Sequence, residues 1–315
     1  MLVGGDSTTT AHADPSRQRV GATAFGVAAF RAMESQSNDR PTGPLIHDAA
    51  AEAIFALVSG TAPLRWRLMV WASKKPLLKL IIPLLSRRAG RLRTMVALRT
   101  RHIDAAIDTA RRATATPLQL VIVGSGLDTR CLRLKLRDAH DAVGFSRIFE
   151  LDFEGMHEEK RRQLALSASL AKPPLVASIG VDLSVPGAWQ EVSEKLTSEG
   201  FLRSRPSVWV LEGLTSYLTP TELKSTLQSI ADLSAPESRL IATFLSATRP
   251  PGCIGEACKL GMHKFTTDDP IPVVAVFGPA TCVTIGELAA FSPEAARLGV
   301  SAADASYTIV TATKR

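Results

Sequence analysis

The chain has 315 residues, enough for one large α/β domain with elaborations or for two small ones. Its 45% hydrophobic and 21% charged content is that of a soluble globular protein burying a real core. Cys131, Cys253, Cys258 and Cys282 form no Cys-x-x-Cys pair and no Cys/His cluster, which argues against a structural zinc site and for reduced thiols in a cytoplasmic setting. The net charge of +7 is uneven, because eleven Lys and Arg and no acidic residue lie between Glu52 and Asp104. Nucleic acid or a membrane surface therefore enters as a partner through one local stretch, not a global excess.

Residues 1–17 are rich in Gly, Thr, Ser and Ala and lack the apolar core of a secretory signal, so they read as a disordered tail. Sparse arginine disfavours a transit peptide, although an organellar address stays open. Helices are predicted over 20–33 and 49–58, with a turn at 39–44. Within the basic segment 65–101, the apolar run 77–85 carries Lys79 and is interrupted by Pro83. It falls far short of the ~20 apolar residues of a membrane span. An interfacial amphipathic patch and a helical lid over a site compete here, and the lid is preferred because small-substrate sites are commonly covered by such elements. A helix over 103–112 then leads into the first strand.

The apolar, β-branched run over 118–123 predicts one buried strand, broken by Gly124-Ser125-Gly126 and followed by a helix from Leu127 onward. Further strands are expected over 146–153, 175–181, 207–211, 238–245 and 307–312, and helices over 158–170 and 188–199. Another helix starts at Thr219, its N-cap, with Glu222 three residues on. Alternating strands and helices predict a parallel sheet covered on both faces, with ligands off the carboxyl ends of its strands. The first four strands end at the glycine turn, Asp152, Asp182 and Glu212, which together look like a ligand rim.

A dinucleotide fingerprint needs a third glycine where Thr129 stands, and no Gly-Lys-Ser/Thr of a phosphate loop follows. A ligand without phosphate fits better. Asp152 can accept two ribose hydroxyls, Asp182 an adenine amine, and the Leu183 backbone a ring nitrogen. Glu212 can hold an ammonium, and Arg101 the matching carboxylate. That ligand is S-adenosyl-L-methionine.

The same residues carry a resemblance. The runs Arg99-Thr100-Arg101-His102-Ile103-Asp104, Val123-Gly124-Ser125-Gly126-Leu127-Asp128-Thr129-Arg130, Phe149-Glu150-Leu151-Asp152-Phe153, Val181-Asp182-Leu183 and Glu212-Gly213-Leu214-Thr215-Ser216-Tyr217-Leu218 occur in this order. From about Val20 onward the chain resembles the leucine carboxyl methyltransferase family, in particular its bacterial-type S-adenosylmethionine-dependent O-methyltransferases. The resemblance implies a Rossmann-like α/β fold with a mostly parallel seven-stranded sheet, helices on both faces and an N-terminal helical lid over 18–115. The core would span 116–315, with a substrate-side insertion near 247–285. It further implies cofactor contacts from Arg101, Gly124, Asp152, Asp182, Leu183 and Glu212, joined by Gly126 and Asp128 of the same turn. Ser125 stands where the family usually has alanine, Glu154-Gly155 where it often has proline, and the match fades after Arg249.

A carboxylate acceptor is already ionised and needs no base, whereas a hydroxyl needs one within hydrogen-bond reach. No convincing His–carboxylate pair stands out; His47 and His102 are candidates, but a lone histidine is more often structural. A carboxylate on a small molecule or peptide is therefore expected, with Tyr217 either orienting it or packing as a rim aromatic. The basic lid either steers an anionic acceptor or is a solvated helix face. The alternative function is an RNA- or membrane-surface-binding protein with a vestigial cofactor site. Against it, the basic stretch interleaves only Trp66 and Trp71, and no RNA-binding module is evident.

Overall fold

The structure, a computed structural model, describes residues 15–37, 43–58, 83–134, 145–165, 176–248, 263–290, 300–301 and 303–315. Its centre is a seven-stranded sheet of β1 (Leu118–Val123), β2 (Phe145–Asp152), β3 (Val176–Gly180), β4 (Ser207–Leu211), β5 (Arg239–Leu245), β6 (Ala280–Thr284) and β7 (Tyr307–Thr313), in the order β3-β2-β1-β4-β5-β7-β6. Strands β1 to β5 pair in parallel, and β7 runs antiparallel to both β5 and β6. From β1 the chain steps outward through β2 to β3, then returns to lay β4 on the other side of β1. The order therefore reverses between β1 and β4, where open α/β sheets leave a crevice for ligands.

All six residues of β1 are buried, because helices cover both faces of the sheet. Side chains alternate across a strand, so Val121 and Val123 face one way while Leu120 and Ile122 face the other. The first pair packs with Phe149, Trp209 and the apolar stripes of helices at Ala188–Ser198 and Pro220–Leu233. The second pair packs with Ile103, Ile107 and Ala110 of the helix Pro83–Arg112. In chain order the helices are α1 (Pro15–Ser35), α2 (Ala49–Val58), α3 (Pro83–Arg112), α4 (Arg130–Arg133), α5 (Glu154–Ala165), α6 (Ala188–Ser198), α7 (Pro220–Leu233), α8 (Ile271–Val274) and α9 (Ile285–Ala290).

Several boundaries differ from expectation. Of the expected tail 1–17, residues 15–17 already belong to α1, with Pro15 at a first helical position where its missing N–H costs nothing. Residues 1–14 lie outside the described residues, as do 59–82 of the basic region and 249–262 after β5. Pro83 does not interrupt an element but opens α3, which runs unbroken for 30 residues through the Arg99-Thr100-Arg101 motif. The helix expected from Leu127 is only the short α4, which starts at Arg130 and ends where Leu134 turns extended (φ −75°, ψ 134°); the Thr129 hydroxyl bonds Asp48 Oδ2 at 2.6 Å instead of capping it. Helix α5 starts at Glu154, four residues earlier than expected. The expected cap of α7 is there in full, with Glu222 N donating to Thr219 Oγ1 and Thr219 N to Glu222 Oε2.

Candidate active site

The turn after β1 needs its glycines. Gly124 and Gly126 have φ of +67° and +48°, a region costly for L side chains. A Cβ on Gly124 would stand 3.0 Å from Leu214 Cδ1, and one on Gly126 3.2 Å from the Ala24 Cβ of α1. The backbone of the turn is tied to the neighbouring strand, since Gly124 N and Ser125 N both donate to Leu151 O.

Asp152, at the end of β2, closes the same turn. Its Oδ2 accepts from Gly126 N at 2.6 Å and its Oδ1 from Phe153 N at 2.7 Å. Burial pushes its carboxyl above the ordinary carboxylate value, and the two amides only partly offset this. Beyond β3, Asp182 Oδ1 accepts from Ser184 N and Oγ at 3.0 and 2.6 Å. Among the described residues the amide of half-buried Leu183 makes no hydrogen bond.

Glu212, at the end of β4, is held by two guanidinium groups. Arg99 Nε donates to Oε1 at 2.8 Å, and Arg130 Nη1 lies 2.6 Å from Oε2. Among the described residues Oε2 receives no aligned hydrogen bond beyond that ion pair. Burial pushes this carboxyl up, but Arg130 and then Arg99 outweigh it and hold it well below the usual range. Arg130 also binds Asp128 and, through Nε at 2.7 Å, Asp104 Oδ1, so the glycine turn is pinned by ions on both sides. Arg31 of α1 reaches the Leu127 carbonyl, and its Nε lies 3.5 Å from Asp48 Oδ2.

The structure thus gathers Gly124, Gly126, Asp128, Asp152 and Glu212 around one turn, with Asp182 and Leu183 following β3, the neighbour of β2. Among the described residues no contact ties Arg101 to that turn. Arg101 is exposed, whereas Arg99, two residues earlier on α3, is buried against Glu212. Two residues turn a helix by about 200°, so the two arginines occupy opposite faces. The signal was available, since Arg99 falls four residues before Ile103 and four after Met95, both buried.

Tyr217 belongs to a 3-10 turn, Thr215–Tyr217, just past β4. Its hydroxyl meets Thr23 Oγ1 of α1 at 3.1 Å, and its ring centre lies 5.0 Å from that of His263. His263 could not be singled out from the sequence because the described residues that hold it, Ser216 and Tyr217, lie 47 and 46 positions earlier. His47 is exposed and His102 half-buried, and neither imidazole hydrogen-bonds another described residue.

The chain is similar to known proteins. A family profile described as "Leucine carboxyl methyltransferase" matches residues 24–231. A protein of Mycolicibacterium vanbaalenii, provisionally named an S-adenosyl-L-methionine-dependent methyltransferase, is 30% identical over 267 residues, covering 84% of this chain and 80% of its own. A Mycobacteroides abscessus protein of the same provisional name is 32% identical over 238 residues, 74% of this chain and 68% of its own. Among solved structures, a DUF574-family protein from Streptomyces avermitilis superposes with a TM-score of 0.50 at 13% identity, covering 85% of this chain and 97% of that one, which speaks to the fold alone.

Proposed function

The chain belongs to the leucine carboxyl methyltransferase family and is an S-adenosyl-L-methionine-dependent methyltransferase; from that premise we propose that it methylates an oxygen, that of a carboxylate on a small molecule or peptide. The observation that carries the reading is the set of groups left at the strand ends. A nucleoside's ribose hydroxyls suit the Asp152 carboxylate, whose two amide bonds leave lone pairs to spare. The uncommitted Leu183 amide suits a ring nitrogen, and Glu212 Oε2, without an aligned donor, suits an ammonium. Arg99, not Arg101, is placed to take an amino-acid carboxylate, because its guanidinium already sits against Glu212.

When bound, S-adenosyl-L-methionine supplies a methyl group activated on a sulfonium. What remains for the protein is to fix the acceptor in line and to exclude water. An ionised carboxylate needs no proton removed, which agrees with a rim built of binding groups.

Calorimetric titration with S-adenosyl-L-methionine tests the reading. The wild-type chain is expected to bind at micromolar concentration. Asp152→Ala, losing charge-assisted hydrogen bonds to the ribose, is expected to bind about 10- to 100-fold more weakly. A folded wild-type chain that does not bind sinks the proposal.

A further inference from the structure

The geometry points to His263 as the residue that holds the acceptor, donating its Nε2–H to one oxygen of the carboxylate proposed above. The inference rests on that reading of the acceptor.

Its place is the first argument. Lys264 N and Phe265 N both donate to Ser216 O, and Thr267 N donates to the carbonyl of Leu245, the last residue of β5. Residues 263–267 therefore run along the carboxyl ends of β4 and β5, beside the strand end that bears Glu212. One ring neighbour of His263 is Tyr217, whose hydroxyl reaches Thr23; the next residue of α1, Ala24, covers Gly126. The imidazole is thus linked to the glycine turn through Tyr217 and then Thr23 and Ala24 of α1.

The second argument is the proton inventory. His263 Nδ1 and Ser216 Oγ are 3.0 Å apart, and Ser216 is buried. Among the described residues the Ser216 hydroxyl has no other acceptor. If Nδ1 carried the proton, that hydroxyl hydrogen would be left buried without a partner, which is unfavourable. The arrangement that satisfies both groups has Ser216 O–H donating to Nδ1, with the ring proton on Nε2. Nε2 has no hydrogen bond among the described residues. Burial also lowers the pKa of the ring, favouring the neutral imidazole at pH 7.

A neutral imidazole of this tautomer is a donor and not a base. It can hold one carboxylate oxygen while the other attacks, forming the O–CH3 bond as the S–CH3 bond breaks and sulfur keeps the electron pair. No proton moves. Lys264, next in the chain and loosely paired with Glu222 at 3.8 Å, adds a cation that draws an anionic acceptor to this edge.

The test uses the full chain saturated with S-adenosylhomocysteine and titrated with N-acetyl-leucine, benzoate and decanoate. At least one carboxylate is expected to bind the wild type. His263→Ala is expected to weaken it about tenfold, and His263→Gln, whose amide N–H stands near the Nε2 position, to restore most of the loss. Nitrogen-15 spectra of the imidazole are expected to show a protonated Nε2 and a bare Nδ1 at neutral pH. Binding of none of the three acids by wild type, equal binding by His263→Ala, or a proton found on Nδ1 overturns the inference. Failure of S-adenosylhomocysteine itself to bind the wild type would instead sink the methyltransferase reading, and its unchanged affinity in the variants certifies their fold.

Discussion

Glu212 sits with two arginines where water hardly reaches, its side chain 7% exposed and those of Arg99 and Arg130 at 5% and 0%. Taking these charges out of water is costly, and it is tolerable because Glu212 pairs with both arginines while Arg130 also pairs with Asp128 and Asp104. Removing the anion leaves the buried Arg99 guanidinium without its carboxylate and takes one of three from Arg130. Glu212→Gln is therefore expected to cost about 3–5 kcal/mol of stability at pH 7, measured by denaturant unfolding. The pH dependence has a definite sign. The folded carboxyl titrates below its ordinary value of 4.5, so its stabilisation is complete above that value and is lost as pH falls beneath it. Asp128, also held down by Arg130, adds in the same direction, whereas Asp152, pushed up by burial, works against it. Melting temperature is expected to fall steeply between about pH 5 and pH 3 in the wild type, and with a visibly shallower slope in Glu212→Gln.

At the scale of elements, the period of α3 decides which arginine is buried against Glu212. One face of this helix carries Met95, Arg99, Ile103 and Ile107, and all four are buried. The motif Arg99-Thr100-Arg101 offers two guanidiniums in sequence, and only the helical period distinguishes them. Arg99→Ala is expected to weaken S-adenosyl-L-methionine binding by about tenfold or more, and Arg101→Ala to leave it within about twofold; titration of both variants reads the difference. Sequence legibility divides along the same line. The glycine turn, Asp152, Asp182 and Glu212 could be read because each follows directly on an apolar run that ends at one edge of the sheet. Arg99 and His263 meet partners 113 and 47 positions away, and Arg130, besides its neighbour Asp128, meets Glu212, 82 positions away; no local pattern announces such pairings.

For the whole molecule, strands β1 to β5 were legible because buried parallel strands are apolar stretches with polar ends. Strand β7, antiparallel, was legible as the buried β-branched run Tyr307–Thr313, but β6 was not. Its five residues, Ala-Thr-Cys-Val-Thr, are half or fully exposed at the sheet margin, and without burial there is no apolar run to see. Residues 280–284 reach the sheet only through β7, which lies between them and β5. Deleting residues 307–315 is therefore expected to strip two strands, not one, and to shift the protein from the monodisperse to the aggregated fraction in size-exclusion chromatography.

That placement also orders events during synthesis. Strands β1 to β5 can pair as they emerge, each finding a neighbour already made. Then β5 must wait while more than sixty residues are added before its second partner, Tyr307–Thr313, exists. Throughout that interval its backbone amides and carbonyls form an open margin that any other extended chain could extend. The nascent protein is thus most vulnerable to sticking to its neighbours late in translation, when most of its core is already formed.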